Sequence, residues 1–241
     1  MKLTAKILLV MLLLFTTGLF ASNMLLKKAY DKQDKTDIYW TYEKILEQPF
    51  RHVKINGGNI TRIIYRQGPH PSVRVAKDWD GFKRNSVKAY TSNDTLYINF
   101  PNDYKDIYEK NYLRWSTVLR IFSPELLSVT GNNTNFLMEK LQQKNIAVQL
   151  SGRSLFEVES LVPQFDKISI TQSDSSEAQF EMDPALKGPE NFHVGQLKAS
   201  LKDISFLDIG HASIDSLQLS VTDSSGVFLS GSVMKKQPVI H

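Results

Sequence analysis

Apolar and polar residues alternate at period two through most of this chain, and in its last half the alternation comes in repeated blocks. Five segments read as a strand, a tight polar turn and a second strand. They are LLSVTGNNTNFLME from Leu126, IAVQLSGRSLFEVE from Ile146, ISITQSDSSEAQFEM from Ile168, LKASLKDISFLDI from Leu197 and LQLSVTDSSGVFLSG from Leu217. Strict alternation marks strands with one buried face. The turn anchors fall at Gly131, Gly152, Asp174, Asp203 and Asp223, in steps of 21, 22, 29 and 20 residues. Self-similarity of this period predicts an all-β solenoid, in which a unit buries its apolar face only by stacking on its neighbours. The residue two places after each anchor is small and polar: Asn133, Ser154, Ser176, Ser205 and Ser225. Such residues suit a bend because they bond back to nearby backbone.

The apolar residues beside each corner are expected to point inward. Before the turns these are Val148, Leu150, Ile168, Ile170, Leu217, Leu219 and Val221. After the turns they are Phe156, Val158, Phe180, Met182, Phe206, Ile209, Val227 and Leu229. The long step between Asp174 and Asp203 holds MDPALKGPENF, whose Pro184, Gly188 and Pro189 mark a surface loop. Upstream, His52–Asn56, Ile60–Arg66, Ser72–Ala76, Thr95–Phe100 and Thr117–Phe122 also alternate, with a Gly57-Gly58 turn after the first. Asn102–Trp115 interrupts the pattern. Its Tyr104, Tyr108 and Tyr112 recur at steps of four, as on one helical face. With Trp115 they are candidate contacts for a glycan or a protein partner; the alternative is a cap over the open edge of the stack.

Residues 7–26 carry no charge, and Lys2, Lys6, Lys27 and Lys28 flank them. Twenty such residues are about enough to span a bilayer. They read as a signal-anchor or as a cleaved signal peptide, with candidate cuts after Gly18 or Ala21. The expected division is therefore 1–26 as anchor or signal, 27–49 as a juxtamembrane linker with a short helix from about Ile38 to Pro49, 50–234 as the β-solenoid, and 235–241 as a tail. In that tail Lys235, Lys236 and Pro238 would blunt a sheet edge. The expected location is membrane-anchored through residues 7–26, with the bulk outside the cytoplasm, in the periplasm or at the cell surface.

At this point the chain resembles a known family, the auto-transporter adhesin head domain or GIN domain common in Bacteroidetes. The marks are VKINGGN, SVRV, DTLYINF, IFSPELLSV and the corner LSGRSLFEV. The resemblance runs from about Phe50 to Met234. It departs from the family where Asp replaces Gly at three of the five corners and where the Tyr-rich insertion lies. What it implies is a right-handed parallel β-solenoid on the envelope side of the membrane.

Charge and composition narrow the function classes. Of 29 basic residues, Lys2 and Lys6 precede the apolar run; the remaining 27 face 25 acidic ones. So small an excess argues against a nucleic-acid binder, which needs a basic stripe. There is no cysteine, which excludes disulfides, thiolate nucleophiles and cysteine metal sites. The five histidines, His52, His70, His193, His211 and His241, show no metal-ligand spacing. Asp174, Asp203 and Asp223 share one corner of three successive repeats. They are weak candidates for a Ca²⁺ ladder, because Ca²⁺ takes six or more oxygens, and otherwise each caps its own turn. The expected function is a non-catalytic envelope module with an adhesin-like or structural role and no bound cofactor. The alternative is a β-helix lyase or hydrolase acting on glycans, which needs paired acids on one strand face.

Overall fold

The computed structural model describes residues 3–32, 34–79, 87–100, 116–160, 164–182, 193–210, 212–228 and 239–240. The chain divides into two compact units, Met1–Thr41 and Tyr42–His241.

The first unit is dominated by helix α1 (Leu3–Asp31), of which no residue is buried. At 1.5 Å per residue its 29 residues extend ~44 Å. It is long and apolar enough to cross a membrane. Past its end, the Thr36 N–H and hydroxyl both donate to the Asp34 carboxylate, at 2.9 and 2.6 Å. These two bonds hold the Asp34 pKa below its ordinary value. The helix expected from Ile38 does not form. Asp37 accepts from the Tyr39 N–H at 2.9 Å and the Trp40 N–H donates to the Asp37 carbonyl at 3.0 Å, closing a turn in place of a first helical turn. The chain then enters a strand in the second unit.

That unit contains β1 (Tyr42–Leu46), β2 (His52–Asn56), β3 (Arg62–Gln67), β4 (Ser72–Ala76), β5 (Lys88–Ser92), β6 (Thr95–Asn99), β7 (Thr117–Ser123), β8 (Ser128–Asn132), β9 (Asn135–Leu141), β10 (Asn145–Ser151), β11 (Leu155–Ser160), β12 (Gln164–Gln172), β13 (Glu177–Met182), β14 (His193–Leu201), β15 (Phe206–Asp208), β16 (Ser213–Val221), β17 (Gly226–Phe228) and β18 (Val239–Ile240). They form two large mixed sheets. The first runs β1-β4-β7-β3-β9-β11-β13-β15-β17 and the second β18-β16-β14-β12-β10-β8-β2-β6-β5.

From β8 onward, successive strands alternate between the sheets. Each pairs in parallel with the strand two places on, as β8 with β10 and β10 with β12, or β9 with β11 and β11 with β13. The two strands of one repeat are therefore not a hairpin; they lie in different sheets. The pairing is not parallel throughout, as a uniform stack from residue 50 would require. β4 runs antiparallel to both β1 and β7, and β5 antiparallel to β6. For β5 and β6 the cause is local. Asn93 and Asp94 both have positive φ, 48° and 60°, which makes the two-residue turn that sends a strand straight back.

One apolar core of the second unit draws on strands of both sheets. In the second sheet, Val129, Val148, Ile170, Ala199 and Leu219 align in register across five strands and all are buried. In the first sheet Phe136, Phe156 and Phe180 form a ring column, with centroids 6.0 and 6.1 Å apart. Gln172 stands between Leu150 and Leu201 in its column. It is buried there because its amide donates to the carbonyls of Ser176 and Phe206, at 3.2 and 3.0 Å, tying one sheet to the strands of the other. Tyr65 is wholly buried, and its hydroxyl donates to the Ser123 carbonyl at 3.1 Å. Burial pushes its phenol up to about 12.

Two inward assignments are corrected. Phe206 is 39% exposed and Val221 is 41% exposed. In β15 the buried residues are Leu207 and, just past it, Ile209. They are two apart, as the pleat demands; Phe206 and Ile209, three apart, cannot share a face. Met182 and Leu229 lie where no side chain is described.

Candidate functional site

The second unit presents three surfaces to which the repeats contribute: the corners, the outer face of the first sheet and the outer face of the second.

At the corners the left-handed backbone positions are Asn133, Gly152, Asp174, Asp203 and Asp223, with φ between 50° and 64°. Four of these are the expected anchors. The first is not: Gly131 lies inside β8, opposite Leu150. Its glycine serves space and not a turn, since a Cβ there would come within 2.4 Å of the Thr134 methyl. Asp and Asn tolerate the left-handed region better than other side chains do.

The three aspartates form a directional chain. Asp174 accepts from the Gly152 N–H at 3.0 Å, Asp203 from the Asp174 N–H and Asp223 from the Asp203 N–H, both at 3.3 Å. Each carboxylate caps the corner of the repeat before it, which sequence reasoning did not foresee; the spacing suggested a Ca²⁺ ladder or a cap on its own turn. The buried serines lie just inside. The hydroxyls of Ser154, Ser176 and Ser205 donate to the carbonyls of Ser151, Ser173 and Lys202, at 2.7, 2.9 and 2.6 Å. Among the described residues no group of three or more His, Asp or Glu side chains is placed to hold a metal ion.

These bonds predict an ordered series at Asp203. Asp203→Asn keeps an acceptor and a tolerated backbone, and is expected to change stability by less than about 0.5 kcal/mol. Asp203→Gly loses only the cap, about 1 kcal/mol. Asp203→Ala loses the cap and adds the left-handed penalty, about 2–3 kcal/mol together. Urea denaturation of the three variants checks the order.

The outer face of the first sheet is charge-segregated. Arg62, Arg66, Arg74 and Arg120 stand on β3, β4 and β7, while Glu139, Glu157, Glu159 and Glu177 stand on β9, β11 and β13. They meet in ion pairs: Arg66 with Glu139 at 2.7 Å, Arg62 with Glu157 at 3.1 Å and Arg120 with Glu139 at 3.8 Å. The Arg120 guanidinium also lies 5.3 Å from the Tyr42 ring centroid.

The outer face of the second sheet is different in kind. Register aligns Tyr90, Tyr97, Lys54, Thr130, Gln149, Thr171, Ser200 and Ser220 in one row across eight strands. Beside it run Asn99, Asn56 and Asn132. On the other flank the ring Nδ1 of His52 is 2.7 Å from the Ser128 hydroxyl. The row is exposed or half-exposed throughout. It begins with an aromatic pair, since the Tyr90 and Tyr97 rings stack 5.0 Å apart at 9°.

Of the residues singled out in sequence, Tyr104, Tyr108, Tyr112 and Trp115 lie outside the described residues. Asp174, Asp203 and Asp223 do share one corner. The Tyr90–Tyr97 pair was not anticipated, because KAYTS was not read as a strand. The signal was present in Asn93-Asp94, a two-residue turn between alternating runs.

No protein-family model matches the chain, and no curated protein matches its sequence. Solved structures do share its fold. A putative adhesin from Bacteroides fragilis NCTC 9343 is similar with a TM-score of 0.58 at 11% identity, over 77% of this chain and 78% of that one. A putative adhesin from Parabacteroides merdae ATCC 43184 is similar with a TM-score of 0.53 at 14% identity, over 77% of this chain and 70% of that one. At these identities the likeness is one of fold.

Proposed function

We propose that this chain is a non-catalytic, adhesin-like interaction module of the cell envelope, held at a membrane by α1. In this reading the repeats wind as a right-handed parallel β-solenoid of the GIN-domain kind. The handedness follows from the strong preference for right-handed crossovers between parallel strands of one sheet. The observation that carries the function is the continuous, exposed row of polar side chains on the second sheet, with Lys54 its one cation and no carboxylate in it, while the carboxylates of the corners and of the first sheet are engaged elsewhere. The corner aspartates cap backbone N–H groups, and Glu139 and Glu157 pair with arginines. A glycan-cleaving enzyme would need two carboxyls set across a bond, one of them free to act as acid. The neighbours in fold described as adhesins agree with a binding role.

The insertion from Asn102 to Trp115, with Tyr104, Tyr108, Tyr112 and Trp115, belongs to the proposed working surface. Corner aspartates that act as caps need no Ca²⁺, so millimolar Ca²⁺ is expected to leave the melting temperature unchanged.

The full chain, purified in detergent and incubated with envelope polysaccharides, is expected to release no reducing ends. Release that persists in the purified fraction would assign it to the enzymes. Separately, the protein is expected to stay with membranes through a carbonate wash, and added protease is expected to reach residues 42–241 only from the outer side of intact inner membranes. A mature mass beginning after Gly18 or Ala21 would make residues 7–26 a cleaved signal.

A further inference from the structure

We propose that the outer face of the second sheet around Tyr90 and Tyr97 binds a saccharide chain; this rests on the non-catalytic binding reading above and deepens it. Three observations on that face converge. The first is the aromatic platform. Tyr97 is covered on one side by Tyr90, and on Lys54 of the neighbouring strand the ammonium lies 5.7 Å from the Tyr97 ring centroid. Tyr90 stands on the edge strand β5 and is 51% exposed. Among the described residues no further strand of that sheet flanks it, so its outer ring face can take the apolar face of a pyranose.

The second is the amide row. Asn99, Asn56 and Asn132 sit on β6, β2 and β8, each two residues beyond Tyr97, Lys54 and Thr130 and therefore on the same face. Register sets them one strand spacing apart, roughly 4.8 Å, close to the length of one hexose unit. Each carboxamide offers a donor pair and an acceptor, which matches neighbouring hydroxyls on a sugar. Asn132 spends part of that capacity on Ser151 and Asn133. The side chains of Asn56 and Asn99 make no hydrogen bond within the described residues.

The third is charge. The strands β2, β5, β6, β8 and β10 contain no aspartate or glutamate, and their cations are Lys54 and Lys88, with His52 beside them. On these strands a cationic partner finds no carboxylate to pair with. Two lysines are too few for a nucleic acid, whose binding rests on many phosphate contacts. A protein interface needs a dry apolar centre, which a row of Thr, Gln and Ser does not supply. A saccharide needs one aromatic plane and a line of neutral donors and acceptors, and this face has both.

The test uses the full chain in detergent micelles on an array carrying neutral and uronate-containing bacterial and host glycans, with hits repeated by calorimetry. Retention of at least one glycan class is expected, lowered tenfold or more by Tyr90→Ala and by Asn56→Ala. Tyr90→Phe, which keeps the ring, is expected to bind within about threefold of the parent, and Asp203→Asn, away from this face, to bind equally. Melting temperatures of all variants establish that they fold. Uronate-selective retention that falls with Lys54→Gln supports the site and places the lysine on the sugar's carboxylate. No retained glycan, or retention untouched by Tyr90→Ala and Asn56→Ala, overturns the proposal. A chain that holds an envelope protein but no glycan overturns it while leaving the binding reading in place, whereas glycan cleavage overturns that reading itself.

Discussion

Phe156→Ala is expected to lower the free energy of unfolding by about 3–5 kcal/mol, the range for deleting a buried aromatic ring. Phe156 is fully buried at the middle of the ring column. Its ring lies nearly parallel to Phe136, at 6.0 Å and 6°, and tilted against Phe180, at 6.1 Å and 57°. Each such contact adds about 0.5–1.5 kcal/mol to area burial. Because β11 pairs with β9 on one side and β13 on the other, the cavity opens against two neighbouring repeats at once. The control is Phe206→Ala, the same substitution on β15, where the ring faces outward and is 39% exposed. There the expected cost is under about 1 kcal/mol. Urea denaturation of both variants checks the contrast; equal costs would mean that the ring column contributes nothing beyond surface phenylalanines.

The second large effect is alkaline. Buried Tyr65 keeps its proton up to about 12, whereas an unfolded tyrosine releases it near 10. Below pH 10 both states hold the proton and the full stability is present. Between pH 10 and pH 12 the unfolded state binds fewer protons, so stability falls as pH rises. Two pH units correspond to about 2.7 kcal/mol lost across that window. Tyr65→Phe removes the titrating group and also the bond to the Ser123 carbonyl. It is expected to be about 1 kcal/mol less stable at pH 7 yet to lose less between pH 10 and 12. The parent and variant curves should therefore converge and cross. Unfolding free energies of both proteins at pH 7, 10, 11 and 12 measure it.

The strands were legible because one buried face imposes a period of two on the sequence, and the corners because few residues accept the left-handed region. His52–Asn56 and Ser72–Ala76 form with the bounds the alternation marks. Strand direction was not legible. Alternation is the same for parallel and antiparallel neighbours, so nothing in SVRVA showed that β4 would run against β7. Local turn chemistry was read two residues early at Gly131, since GNN offers three residues that all favour turns, and only the packing of Gly131 against Thr134 distinguishes them. The helix expected from Ile38 failed for a related reason. Asp37 is a good cap, but pairing of Tyr42–Leu46 with β4 outweighs a helical preference that no apolar face supports. Of the site, the part of the polar row from Thr130 to Ser220 follows from the repeats. The Tyr90–Tyr97 stack does not, because it depends on a hairpin turn at Asn93-Asp94 that brings two strands of different runs together.

The three aspartate bonds at the corners point one way along the chain. A repeat that begins at an aspartate corner, copied whole, brings both halves of the arrangement with it: an N–H for the next carboxylate and a carboxylate for the previous N–H. Duplication of the segment Asp203–Thr222 would thus lengthen the molecule by a strand spacing, roughly 4.8 Å, and leave no corner N–H without its carboxylate. A gene lineage could tune its reach, and the number of side chains it presents outward, by recombination alone, without inventing a new core each time.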